Sequence, residues 1–143
     1  TGWGSVDRRA ARDVVAQTNA HRLSLHLPQL AIDGSLTRAA TWKSLHMARY
    51  AYFDHDDPAP PVRRSAFQRI RDCGFRAQVA LGENIAAGYG TVGAVMLGWL
   101  HSQGHRENIE RRAFRRIGVG VARRSGSQYG IYWTQDFGSG GTC

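Results

Sequence analysis

The sequence predicts an α+β fold in which helices cover a small, mainly antiparallel sheet. Two patterns carry that prediction: apolar residues recur at helical spacing through most of the first hundred positions, and the last third alternates apolar with small residues on either side of one turn. At 143 residues the chain suits a single domain, residues 1–143, with a core large enough to need no metal or dense disulfide framework. Nothing in it reads as a repeat, a coiled coil or low complexity.

The elements follow in order. From Val6 to about Leu25, the residues Ala11, Val14 or Val15, Thr18, Arg22 and Leu25 fall on one helical face, and Pro28 ends the run. A second helix is predicted from Ser35, read as the N-cap after an Asp33-Gly34 turn, with Leu36, Ala39, Ala40, Met47 and Tyr50 inward. It delivers His55 to a loop stiffened by Pro58, Pro60 and Pro61. A short helix from about Ser65 to Cys73, closed by Gly74, is expected to bury Phe67 and Ile70. Residues Val79 to Ala87 read as extended. Thr91 caps a third long helix carrying Val92, Val95, Met96 and Trp99 toward Ser102, with Gly104 as its stop and a helical turn at His105 to Glu110. Ile117, Val119 and Val121 alternate with Gly118, Gly120 and Ala122 as a strand. A turn at residues 124–127 returns the chain through a second strand from Tyr129 to Phe137. Trp99, Tyr132 and Trp133 are expected in the core, with Trp3 and Tyr89 freer.

Net charge is +8, carried almost wholly by arginine, with pairs such as Arg8-Arg9, Arg63-Arg64 and Arg115-Arg116. Such a surface suits anionic polymers, but the aromatics do not interleave with the arginines and no nucleic-acid module appears, so no nucleic-acid partner is expected. The longest apolar stretches, such as Ala94 to Leu100, fall far short of a transmembrane span. Cys73 and Cys143 fit no zinc motif. A bridge between them would pin the end of the chain and close a long loop, worth about 4 kcal/mol in the chain-entropy model. A disulfide is therefore expected, and with it an oxidising compartment.

The chemistry-bearing stretch is Gly82-Glu83-Asn84-Ile85, followed by Trp99, Ser102, Gly104-His105-Arg106-Glu107-Asn108-Ile109 and Gly118-Val119-Gly120. Asp54-His55 adds a second imidazole from a turn-rich loop. Together with Asn19, Arg22, Leu36, Ala40, Met47, Phe67, Arg69, Trp133-Thr134-Gln135 and Phe137-Gly138, these residues resemble the CAP superfamily (cysteine-rich secretory, antigen 5 and pathogenesis-related proteins), in its short bacterial SCP-like branch. The resemblance runs from about Asp13 to Gly138. It implies an α-β-α sandwich, export to the cell envelope or beyond, and a central cleft.

Members of that family set two histidines and two acidic residues around the cleft, and some hold a divalent metal on the histidines. His55 and His105 match the histidine positions and Glu83 one acidic position. Ser102 stands where longer members carry the second glutamate. The resemblance thus implies His55 and His105 as ligands for zinc or another divalent metal, with water completing the shell. Glu83 reads as the partner that orients a histidine, and Asn84 as a residue that bonds nearby backbone. His101 and His105 lack the glutamate of a zincin motif, and Ser102 lacks a nucleophile elbow.

The leading expectation is an exported domain that binds a lipid, peptide or glycan in a cleft lined by His55, Glu83, Ser102 and His105. A hydrolase using Glu83 or Ser102 as catalytic residue, metal-dependent or serine-assisted, is the alternative. A structural adhesin held to anionic cell-wall polymers by its basic surface is the third.

Overall fold

The computed structural model describes residues 2–76 and 80–140. Helix α1 (Arg8–Ser24) starts where Asp7 accepts a hydrogen bond from the Ala10 N–H at 3.0 Å. Ala10, Val14, Val15, Thr18 and Arg22 form its buried stripe, whereas Leu25, predicted to join it, lies past the last turn and is exposed. Arg22 sits in that stripe because its guanidinium is satisfied by carbonyls alone, those of Pro28, Ile109, Arg111 and Phe114.

Helix α2 (Gly34–Tyr50) is capped by Asp33 and not by Ser35, one correction to the sequence reading. Strand β2 (Ala31–Ile32) fixes the difference, since the Asp33 N–H bonds Ile117 O and leaves the Asp33 carboxylate to accept the Leu36 N–H at 2.9 Å. Helix α3 (Ala66–Asp72) forms close to the expected bounds, with Ser65 as its cap and Gly74 in the left-handed region at φ 105° just after it. It buries Ala66, Arg69 and Ile70; Phe67, expected inside, is exposed. Thr91 caps α4 (Val92–Leu100). Gly104 does not act as the stop. Helix α4 gives way at His101, and Gly104 lies in the first turn of α5 (Gln103–Glu110), where the unpaired N–H groups make a glycine cheap. Trp3, expected to be free, packs 5.7 Å from both His46 and Tyr50.

Strands β1 (Ser5–Val6), β3 (Leu81–Ala87), β4 (Arg116–Arg123) and β5 (Ile131–Gly138) complete a five-stranded sheet in the order β1-β4-β5-β3, with β2 beside β4. Among the described residues only β2 pairs in parallel; the long strands are antiparallel, with Glu83 opposite Asp136 and Gly118 opposite Asp136 from the other side. Tyr129 lies ahead of β5 and is exposed.

Alternation across the sheet sorts two cores. Ile117, Val119, Val121, Trp133 and Phe137 pack with Val14, Val15, Val95, Met96 and Trp99 from α1 and α4. On the opposite face Tyr132 and Ile85 meet Met47, and Leu81 meets Leu36 and Ile70. Gly118 and Gly120 also point there, and α2 rests directly on them. Helices on both faces of one sheet make the expected α-β-α sandwich. Its free edge is β3, and the candidate site lies along that edge.

Candidate functional site

Loops and helices from both outer layers meet over β3. His55 arrives from the loop between α2 and α3, and its Nδ1 lies 3.0 Å from Glu83 Oε1. His105 arrives on α5, with Nδ1 2.8 Å from Ser102 Oγ. That contact occupies the Ser102 hydroxyl, which makes no capping bond to α5. The layers are joined beneath by amides. Asn84 Nδ2 donates to His105 O at 3.0 Å and to Gln135 Oε1 at 3.1 Å, while Asn108 Nδ2 donates to Glu83 O at 3.1 Å. Asn84 therefore bonds backbone, as the sequence reading held.

Two hollows of about 360 Å³ each open along this edge, one beside Leu81–Glu83 and the other beside Ile85–Ala87 of β3. One is lined by His55, Phe67, Gly82, Glu83 and Asn108, the other by Phe53, Tyr89, Trp99, Ser102, His105 and Tyr129.

Under His55 lies a largely buried ionic cluster that the sequence reading missed. Arg69 donates from Nη1 and Nη2 to the two Glu83 oxygens, from Nε to both oxygens of Asp57 at 3.1 Å, and from Nη2 to His55 O at 2.9 Å. One guanidinium thus fixes both the His55 loop and the carboxylate that faces it. Asp57 is also bonded by Lys43 Nζ and Arg64 Nε, both at 2.9 Å. The warning signs were in the pattern. Arg69 falls in the Ala66–Ile70 stripe of α3, and Lys43, the only lysine of the sequence, falls on the inward face of α2 between Ala40 and Met47.

Asp136 closes the cluster. It is wholly buried, no donor among the described residues is bonded to either oxygen, and Arg69 Nη1 stays 3.7 Å away. Burial, then the Glu83 charge, pushes its carboxyl far above the usual range, which favours the protonated form that can donate to Glu83. Burial works against the Glu83 charge as well, but hydrogen bonds from Asp136 and His55 and the Arg69 charge outweigh it and hold Glu83 well below the ordinary carboxylate range. Burial, with the nearby His55 charge, lowers His105, which is neutral at pH 7.

The two carboxyls load the pH dependence in opposite directions. Glu83, depressed in the fold, stabilises above its unfolded value near 4.5 and loses that contribution as pH falls. Asp136, raised in the fold, stabilises below its unfolded value near 3.8 and loses that contribution as pH rises. Asp136→Asn keeps a donor for Glu83 without a titrating proton. Urea unfolding at pH 4, 6 and 8 is expected to show the variant gaining on wild type as pH rises; a difference that does not change with pH would contradict a protonated Asp136.

The side chains that could hold a divalent ion here are the two imidazoles of His55 and His105, with water completing the shell. The Glu83 oxygens are engaged by Arg69, His55 and Asp136, and among the described residues no three His, Cys, Asp or Glu side chains gather to hold a metal. For the disulfide, Cys73 is half-buried and its expected partner Cys143 lies outside the described residues.

A model of the CAP family, described as the cysteine-rich secretory protein family, matches residues 15–137, and the chain belongs to that family. It is 39% identical over 126 residues to protein YkwD of Bacillus subtilis, covering 88% of this chain and 46% of that one. Among solved structures it resembles an extracellular SCP-domain protein of Bacillus anthracis, with TM-score 0.79 and 30% identity over 94% of this chain and 41% of the other. An outer surface protein of Borrelia burgdorferi shares the fold at TM-score 0.78 and 20% identity, over 95% of this chain and 98% of the other. The chain thus spans less than half the length of YkwD. Among the described residues no helix is long and apolar enough to cross a membrane.

Proposed function

We propose that this chain is the ligand-binding domain of an exported protein, and that it holds an extracellular or envelope-derived ligand along the β3 edge between His55 and His105. The observation that carries the reading is the Arg69 clamp. It places a buried carboxylate against His55 and keeps it there, which builds a rigid, polar recognition wall. The same clamp argues against turnover through Glu83, because a general base works best with a pKa near the operating pH and this carboxylate sits well below it. Export is supported by the extracellular and outer-surface descriptions of the two structural relatives.

Retention of the purified protein on isolated envelope material tests the reading. Retention is expected to fall in His55→Ala and His105→Ala and to persist at high salt. Salt-sensitive retention unaffected by either variant would replace this reading with adhesion by the basic surface. Zinc is expected to bind only as tightly as two imidazoles permit, with ligand or water completing the shell, and either histidine variant should abolish the interaction. Equal zinc affinity in wild type and both variants would take zinc away from these residues.

A second reading rests on the 2.8 Å contact between Ser102 Oγ and His105 Nδ1, with His105 neutral and able to accept the serine proton. It makes the chain a serine-assisted hydrolase. Among the described residues no carboxylate is bonded to His105 to orient it, unlike a full triad. Ester turnover abolished by Ser102→Ala would establish this reading.

A further inference from the structure

The exposed aromatic rings of this protein are not scattered. Among the described residues, the aromatics that stand out as exposed large hydrophobics are Phe53, Phe67, Tyr89 and Tyr129, and all four line the two hollows of the β3 edge. The exposed aliphatic residues Leu23, Leu25, Ile32, Val62 and Leu97 line neither. Single exposed apolar side chains need no explanation, but four rings gathered at one cleft do.

These rings are held in place. Tyr89 lies along α4 at Gly98, where a Cβ would fall 2.5 Å from its hydroxyl, and its carbonyl accepts a bond from Trp133 Nε1 at 2.9 Å. Tyr129 packs edge-on against Tyr132, with ring centroids 6.1 Å apart. Each of these two rings is therefore packed over part of its surface and exposed over the rest, 39% for Tyr89 and 45% for Tyr129. Phe67 stands in the hollow of His55 and Glu83, and Phe53, Tyr89 and Tyr129 in that of Ser102 and His105, so ring faces occur on both sides of the histidines.

Of the occupants open to such a cleft, these features select one. An extended peptide would add a strand to β3, but the outward carbonyls of Glu83 and Ile85 already accept from Asn108 Nδ2 at 3.1 Å and Trp99 Nε1 at 3.2 Å. An acyl chain calls for an enclosed apolar channel, whereas both hollows are open and end on imidazole, hydroxyl and amide groups. A pyranose ring has an apolar C–H face to lay on an aromatic ring and hydroxyls at its rim for such groups. Successive rings of one polymer would occupy successive hollows. Resting on the cleft reading above, we propose that the ligand is a linear glycan, neutral or anionic to suit the +8 charge, with sugar rings stacked on Phe67 at one end and on Phe53, Tyr89 and Tyr129 at the other.

Titration of the folded protein with chitotetraose, and with cellotetraose as the analogue without acetamido groups, followed by calorimetry and amide NMR shifts, tests this. Saturable binding of at least one is expected, with shifts confined to β3, α5 and the Phe53 loop. Tyr129→Ala and Phe67→Ala should each weaken it about tenfold, while Leu97→Ala on the outer side of α4 leaves it unchanged. Phe67→Ala is expected to unfold at the wild-type urea midpoint and Tyr129→Ala, which loses the Tyr132 contact, only slightly below it. Gly98→Ala, which displaces Tyr89 without removing a ring, should weaken binding as well. Binding of neither saccharide, or binding indifferent to the ring variants, overturns the glycan. Histidine-dependent retention on envelope material alongside no saccharide binding would leave the cleft reading standing and remove this one alone.

Discussion

Arg69→Met is expected to destabilise the protein by about 3–5 kcal/mol, a large share of the stability of a domain this size. The reason is not the strength of the ion pairs. A methionine fills similar space, but it leaves Asp57 with Lys43 and Arg64, and the Glu83 charge with a half-exposed His55 and the Asp136 carboxyl but no cation of its own, in a largely buried region. Taking one partner from a buried ionic group costs more than the group as a whole contributes, because the remaining charge keeps its desolvation penalty. Arg123→Met is the matched control. Its bond to Asp7 is just as short at 2.9 Å but lies at the surface, so the loss should stay below about 1 kcal/mol. Urea midpoints of the two variants measured side by side decide the matter; similar small losses would mean that the cluster under His55 is solvated and does not act as a clamp. The ring signals of His55 should also shift in Arg69→Met, since the guanidinium bonds the His55 carbonyl and the carboxylate facing its imidazole.

How much of this was legible beforehand depended on which interactions are local. Helices α1 and α2 announce themselves by periodicity, and α4 by the cap chemistry of Thr91, because those signals act within a few residues. Asp33 and Ser35 are equally good caps on local grounds, and only the long-range bond from Asp33 N–H to Ile117 O chooses between them. Gly104 fails as a helix stop for a similar reason, since its place relative to the next helix, and not its propensity, sets its role. Phe67 reads as core because an apolar residue on a short helix usually belongs there; the structure instead turns it toward the cleft. His55 and Glu83 pair as family resemblance implies. Arg69 is among the residues that carry the resemblance, but its role, like that of Asp136, escapes recognition, because a charge on an apolar face can be justified only by partners from elsewhere in the chain. Arg69 finds them in Asp57 and Glu83, and Asp136 in the strand opposite.

Gly118→Val is expected to abolish the native fold, and even Gly118→Ala to cost more than the roughly 1–3 kcal/mol typical of overpacking. A Cβ at Gly118 would fall 2.1 Å from Leu36 C and Thr37 N, and one at Gly120 would fall 2.3 Å from Thr41 Cα. These neighbours are backbone, which has no rotamer to change, so relief requires lifting α2 off the sheet. Lifting α2 also opens the contacts of Leu36 and Met47 and withdraws Ser44 Oγ from Gly120 O, a bond of 2.8 Å. The Gly-Val-Gly alternation of β4 is thus a packing requirement, with valine serving the α1 and α4 core and glycine admitting α2. Gly93→Ala provides the comparison, since nothing lies within 4 Å of its Cβ position in α4. That substitution should stabilise by about 0.5–1 kcal/mol, because alanine loses less freedom than glycine on entering a helix. Thermal and urea unfolding of both variants would expose an error in this account if Gly118→Ala proved as stable as wild type. Such a result would mean that α2 and β4 are held apart by more than the close approach described, and that Lys43 and the His55 loop, which α2 carries to the cleft, are positioned by some other contact.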